Sequence, residues 1–332
     1  MPDTDRTAQD ITNAIPSGGR GVFGGQIIAP WAAIQSVRLD DPKKSLHSLH
    51  AYFLNFGNAE IPVLYQVQRL RDGRSYATRT VLATQQGVPI FTLTGSFCHA
   101  EPDQPIRQMP LPRWPLDAGA HGENVSNERT PQTTVSGRGK IPEPEDCDAT
   151  EEVLMRALAA AKNLPKKLQE FVERQAEERR QSSIELRNTD KKQLGTLFSY
   201  DKNPSSPQHQ HKAHLFLVNR QLYWFRSRAN VRQDPDFQKC VLAYASDLNF
   251  IGTAARATGL GSHTTPRLGM LASLDHSMYF YDNTVDAHDW NLFYMNSSIT
   301  RSGRGLVHGR IYKRDGTLAG SVPTRKGPHP MY

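Results

Sequence analysis

Apolar positions from Phe23 to Val37 (FGGQIIAPWAAIQSV) fall nearly all round a helical wheel, behind a Gly-Gly turn and with Pro30 as a flaw in the run. A helix without a polar face has to be enclosed. The segments after it supply the enclosure. Leu46 to Leu54, Val63 to Leu70, Ser75 to Gln85 and Pro89 to Phe97 are rich in β-branched and aromatic residues, and turns at Asp72-Gly73 and Gln86-Gly87 separate them. The unit these patterns predict is one helix embraced by an antiparallel sheet.

The pattern stops near Glu101. Prolines at 102, 105, 110, 112, 115, 131, 142 and 144, with few aliphatic residues between, read as a linker. Glu151 to Ser183 then carries Leu154, Leu158, Ala161, Leu164 and Leu168 near helical spacing, and Pro165 splits it into two helices. After it the first order of elements returns. Ile184 to Arg187 and Leu215 to Arg228 read as strands, and Val241 to Ala255 reads as a second buried helix. Leu271 to Tyr281, Asn291 to Ser297, Gly305 to Lys313 and Thr317 to Val322 read as the strands around it, with Asp315-Gly316 turning the last pair. Gln26 precedes Gly87 by 61 positions and Asp247 precedes Gly316 by 69, so the two halves are repeats in element order. The expected organisation is an N-terminal unit over 1–100, a linker over 101–150, linker helices over 151–183, a C-terminal unit over 184–327 and a tail over 328–332.

At 332 residues the chain exceeds what one core usually occupies. The net charge of +7 favours anionic partners, yet the basic residues are scattered rather than massed with stacking aromatics, which speaks against nucleic acid as a partner. Three cysteines without CxxC spacing speak for free thiols, a reducing compartment and no metal site. No apolar run approaches the roughly 20 residues of a membrane span, and the start is polar and acidic, so a cytoplasmic location without membrane insertion is expected.

Six collinear stretches resemble the acyl-CoA thioesterase II family: RGVFGGQIIA (20–29), HSLHAYFLNFG (47–57), LRDGRSYATRTVLATQQGVPIFTLTGSF (70–97), VLAYASDLNFIGTA (241–254), LASLDHSMYFYD (271–282) and RGLVHGRIYKRDGTLAGSV (304–322). The resemblance covers both halves and leaves out the linker. It implies an α+β double hot-dog fold, two antiparallel sheets each wrapped round a central helix. It also implies hydrolysis of acyl-CoA to fatty acid and CoA with neither cofactor nor metal, in a homodimer or larger homo-oligomer. Peroxisomal members of the family end in a Ser-Lys-Leu-type tripeptide, whereas this chain ends Pro330-Met331-Tyr332.

Thioester hydrolysis needs a water beside the carbonyl carbon, a group that orients and deprotonates it, and donors where the oxyanion forms. By the resemblance the water is held by an Asp, a Ser or Thr, and a Gln. The first maps to Asp247 at the start of the second helix and the second to Ser273. The third is replaced: an ungapped match puts Thr324 at the Gln position, and one inserted residue would put Arg325 there. Asp247 also reads as a helix N-terminal residue favoured by the dipole, and Ser273 as an ordinary strand serine. Gly24 and Gly25 read equally as oxyanion or substrate-binding amides and as glycines that permit close packing. His276 adjoins Asp275 on a strand, which turns the two side chains to opposite faces and favours a structural role for the histidine. The rival to a hydrolase is a non-hydrolytic or repurposed acyl-thioester binder, acting on a polyketide or other acyl chain, motivated by the missing Gln.

Overall fold

The computed structural model describes residues 23–28, 30–112, 140–161, 164–189, 220–230, 234–256, 258 and 268–330. The N-terminal unit opens with α1 (Gly24–Ile27) and α2 (Trp31–Arg38), followed by β1 (Ser45–Phe53), β2 (Leu64–Asp72), β3 (Tyr76–Gln85) and β4 (Val88–Cys98). A short 3-10 turn (Pro144–Asp146) and β5 (Asp148–Ala149) lead to α3 (Thr150–Ala160) and α4 (Lys166–Gln181). The C-terminal unit comprises β6 (Ile184–Asn188), β7 (Arg220–Ser227), α5 (Pro235–Ser246), α6 (Phe250–Arg256), β8 (Leu268–Ser273), β9 (Asp275–Phe280), β10 (Asn291–Arg301), β11 (Arg304–Lys313) and β12 (Leu318–Pro330).

Each buried helix of the sequence reading is two. Pro30 caps α2 and separates it from α1, as a residue lacking an N–H must when an apolar run would otherwise continue. In the second unit α5 begins earlier than the apolar run, at Pro235, because Asp234 caps it with bonds from the Asp236 and Phe237 amides. It ends at Ser246, and Asn249 with φ of 56° turns the chain into α6. Pro165 separates α3 from α4 as expected. Likewise Gln86 and Gly87 both take positive φ in the β3–β4 hairpin, the demand of a tight primed turn. The predicted strand from Leu271 is two strands broken at Leu274, and the first five positions of the one predicted from 215 lie outside the described residues.

The two half-sheets meet edge to edge. Strand order runs β2-β3-β4-β1-β9-β12-β11-β10-β7-β6-β5, with β8 paired to β12, and the join is the antiparallel pair β1–β9, in which Ala51 faces His276. One apolar cluster spans both units, carrying Ile34, Leu49 and Phe91 from the first and Leu242, Phe250 and Phe293 from the second. The helices are also joined by polar contacts: Arg38 pairs with Asp234 and with Asp236 (3.2 Å), and the buried Lys239 donates to the Leu46 carbonyl at 2.7 Å. Part of the proline-rich linker is bound to the second unit, where Trp224 Nε1 donates to the Pro142 carbonyl and the Tyr312 hydroxyl to that of Pro110. All three cysteines are free thiols. No helix among the described residues is long and apolar enough to cross a membrane.

Candidate active site

Asp247 stands at the end of α5, as its C-cap, rather than at the start of a helix. This overturns the dipole explanation of the residue. A carboxylate at a helix C-terminus faces the negative end of the macrodipole, an arrangement that costs stability. Asp247 is nevertheless buried, at 6% exposure. Its Oδ1 accepts a hydrogen bond from Ser273 Oγ at 3.2 Å, across 26 positions of chain. The sequence reading paired these two residues only through family spacing; the fold brings them into contact.

Gly24 comes to the same carboxylate from the other unit. A Cβ built on it would lie 2.7 Å from Asp247 Oδ2 and 3.0 Å from the Phe53 ring, and one on Gly25 would lie 2.7 Å from the Tyr244 carbonyl. The two glycines therefore let α1 press against the last turn of α5, which gives the packing reading its physical content. On the same short helix the Oε1 atom of Gln26 is buried without a hydrogen-bond partner. Phe53 ends β1, and its amide donates to the Leu274 carbonyl at 3.0 Å, so the break between β8 and β9 is fixed beside Ser273.

Strand β12 completes the surroundings. It pairs with β9 through Gly320 and Ser321 and with β8 from Lys326 onward, and Lys326 is in register with Ser273. Thr324, two positions earlier, lies at the point where β12 passes the break, and strand alternation gives it the same sheet face as Ser273. Its side chain is 1% exposed. The partner of Thr324 Oγ1 is His276 Nδ1 at 3.3 Å, while His276 Nε2 meets Ser246 Oγ at 2.8 Å. Arg325 is the next residue of β12, its backbone paired with Leu306.

His276 is fully buried, with the Phe250 ring edge-on to it at 5.9 Å between centroids. Asp275, its neighbour, is half-buried, in keeping with the opposite faces that strand alternation requires. Ser246 and the His276–Thr324 contact were missed in the sequence. Ser246 precedes Asp247 with no distinguishing pattern, and its partner lies 30 positions away. No cluster of three or more His, Cys, Asp or Glu suited to a metal ion occurs among the described residues.

Comparison with known proteins gives this arrangement its context. A family model described as acyl-CoA thioesterase N-terminal domain matches residues 12–98, and one described as acyl-CoA thioesterase C-terminal domain matches residues 170–322. The chain is 32% identical over 308 residues to acyl-coenzyme A thioesterase 8 of Mus musculus, covering 92% of this chain and 79% of that protein. It is 30% identical to acyl-CoA thioesterase 2 of Haemophilus influenzae, covering 91% and 85%. The crystal structure of acyl-CoA thioesterase II TesB2 from Mycobacterium marinum superposes with a TM-score of 0.59 at 27% identity, over 93% of this chain and 90% of that one. A conserved protein with a hot-dog fold from Alicyclobacillus acidocaldarius is similar in fold alone, with a TM-score of 0.57 at 13% identity.

Proposed function

This chain belongs to the acyl-CoA thioesterase II family, both of its halves matching that family's domains, and from that premise we propose that it hydrolyses fatty acyl-CoA at Asp247. The observation that carries the proposal is the part-buried Ser273–Asp247 hydrogen bond at a junction where Gly24, from the other unit, abuts the carboxylate. Asp247 holds the attacking water and takes its proton as the oxygen–carbon bond forms. Ser273, donating to Oδ1, fixes the carboxylate in the rotamer that does this. The carbon–sulfur bond then breaks and the proton passes to the CoA thiolate. Thr324 stands in for the family glutamine as the second hydrogen-bonding group beside the water.

Oxyanion donors are needed as well. The Gly24 and Gly25 amides belong to the first turn of α1, where no intrahelical acceptor exists for them, and their place beside Asp247 supports that use. The exposed edge strand β2 and the family support a homo-oligomer acting on acyl-CoA.

Free-CoA release by the purified protein across a chain-length series of acyl-CoA, run beside Asp247→Ala and Thr324→Gln, tests the reading. Turnover that Asp247→Ala abolishes is the expected result. Rates equal to the blank for wild type and Thr324→Gln alike, with acyl-CoA still bound saturably, would replace the hydrolase by an acyl-thioester binder.

A further inference from the structure

Three buried polar groups next to Asp247 determine where one another's protons lie. In a continuing helix the Ala243 carbonyl would accept the Asp247 amide, but that amide turns to the Tyr244 carbonyl instead, at 3.4 Å. Ser246 Oγ donates to Ala243 O in its place, at 2.8 Å. Ala243 is wholly buried, and a buried carbonyl stripped of its donor is strongly disfavoured.

Serine has one hydroxyl proton. With that proton on the Ala243 carbonyl, Ser246 Oγ meets His276 Nε2 at 2.8 Å as an acceptor only, so Nε2 carries the ring proton. In the neutral imidazole Nδ1 then holds a lone pair. Thr324 Oγ1, 3.3 Å away, is the donor in that contact.

We infer that His276 is a positioning residue that sets the polarity of Thr324, drawing the hydroxyl proton back to Nδ1 so that the Thr324 oxygen presents only lone pairs to whatever binds beside Asp247 and Ser273. The catalytic consequence rests on the function proposed above. A water has two O–H bonds; Asp247 accepts one and Thr324 the other, which leaves the water's lone pair for the thioester carbon. A glutamine amide in the same place could donate or accept. Thr324 alone could also rotate to donate, and the histidine removes that freedom.

The test reads the ring itself. Long-range proton–nitrogen correlation spectra of full-length protein carrying nitrogen-15 histidine, at mildly alkaline pH, distinguish the two neutral tautomers. The His276 signals are identified by their loss in His276→Gln or, should that variant not fold, by their displacement in Ser246→Ala. The expected result is a protonated Nε2 and a bare Nδ1. A proton on Nδ1, alone or with Nε2 also protonated, would overturn the inference whether or not the protein turns over substrate.

A kinetic arm tests the consequence. Thr324→Val should lower kcat by about tenfold to a hundredfold at unchanged KM, and Thr324→Ser should recover most of that loss. Wild-type kcat in Thr324→Val, with the expected tautomer in place, would remove the hydroxyl from the reaction. Absence of turnover in wild type would instead remove the proposed hydrolysis and leave the tautomer standing.

Discussion

Gly24 of the N-terminal unit and Asp247 of the C-terminal unit are packed so closely that a single added methyl carbon would stand 2.7 Å from the carboxylate Oδ2. The first unit therefore walls the carboxylate that the second presents, even though every polar residue mapped to the chemistry lies in the second. Gly24→Ala should push that carboxylate off its bond with Ser273 or lift α1 away from α5. Because displacement of a reacting group by even 1 Å can cost about a hundredfold, a fall in kcat/KM of at least about tenfold is expected in a variant that remains folded. Wild-type kinetics from Gly24→Ala would show that the carboxylate tolerates displacement.

Asp247 should show activity and stability pulling apart. A buried acid at a helix C-cap opposes the macrodipole, a term of about 0.3–1 kcal/mol, and the Ser273 hydroxyl that donates to it can donate equally to an amide oxygen in the same place. Asp247→Asn keeps the shape and removes the charge. Its kcat should drop by at least about a hundredfold, while its thermal midpoint stays equal to or above that of wild type. A lowered midpoint together with retained turnover would mark Asp247 as structural.

The elements were legible in the sequence wherever local chemistry decides them: Gln86-Gly87 and Asp315-Gly316 gave hairpins, and Pro165 divided the linker helices. Asp247 was legible only by resemblance, and its local position was misread, because the apolar run from Val241 to Ala255 hides the break at Asn249. At that break Arg179 of α4 donates to Asn249 Oδ1 at 2.9 Å across 70 positions, a contact that only the folded chain supplies. The Ser246–His276–Thr324 chain was illegible for the same reason, since strands β9 and β12 and helix α5 meet only in the folded molecule. The single sheet was hidden too: β1–β9 pairing depends on two edges finding each other, and alternation within either strand says nothing of its partner.

Acid should loosen the seam between the units before it affects the cores. The Arg38 guanidinium holds the Asp234 carboxyl below its ordinary value, so this group binds protons more weakly folded than unfolded. Its stabilising contribution is present above the unfolded carboxylate pKa and is lost as pH falls through that value toward the lower folded one. Thermal midpoints of wild type should fall across this acid window, and Asp234→Asn, already lacking the contribution, should fall less steeply. Parallel curves would show that the Arg38 contact is not what acid breaks.

Arg79 offers the strongest separation of fold from function. It is fully buried, and the five N–H donors of its guanidinium have five contacts. Nε donates to Ser36 Oγ at 3.0 Å, Nη1 to the Arg71 and Thr78 carbonyls at 3.1 Å each, and Nη2 to Asp40 at 2.9 Å and Asp72 at 2.6 Å. Sequence alone counts it among scattered basic residues open to an anionic partner, yet every donor is already engaged by the N-terminal unit. Lysine has three donors and no planar fork, so Arg79→Lys strands at least two of these acceptors. Since Asp40 and Asp72 keep partial access to water, at 36% and 45% exposure, the expected loss is near the lower end for a broken buried pair, about 3 kcal/mol. The contacts tie α2 and the turn after it to β2 and β3, and none of them involves Asp247, Ser273 or Thr324. Denaturant unfolding of Arg79→Lys should therefore show that loss of stability while kcat per folded molecule holds at the wild-type value. A stable variant with reduced kcat would reverse the assignment and make Arg79 part of the substrate's path.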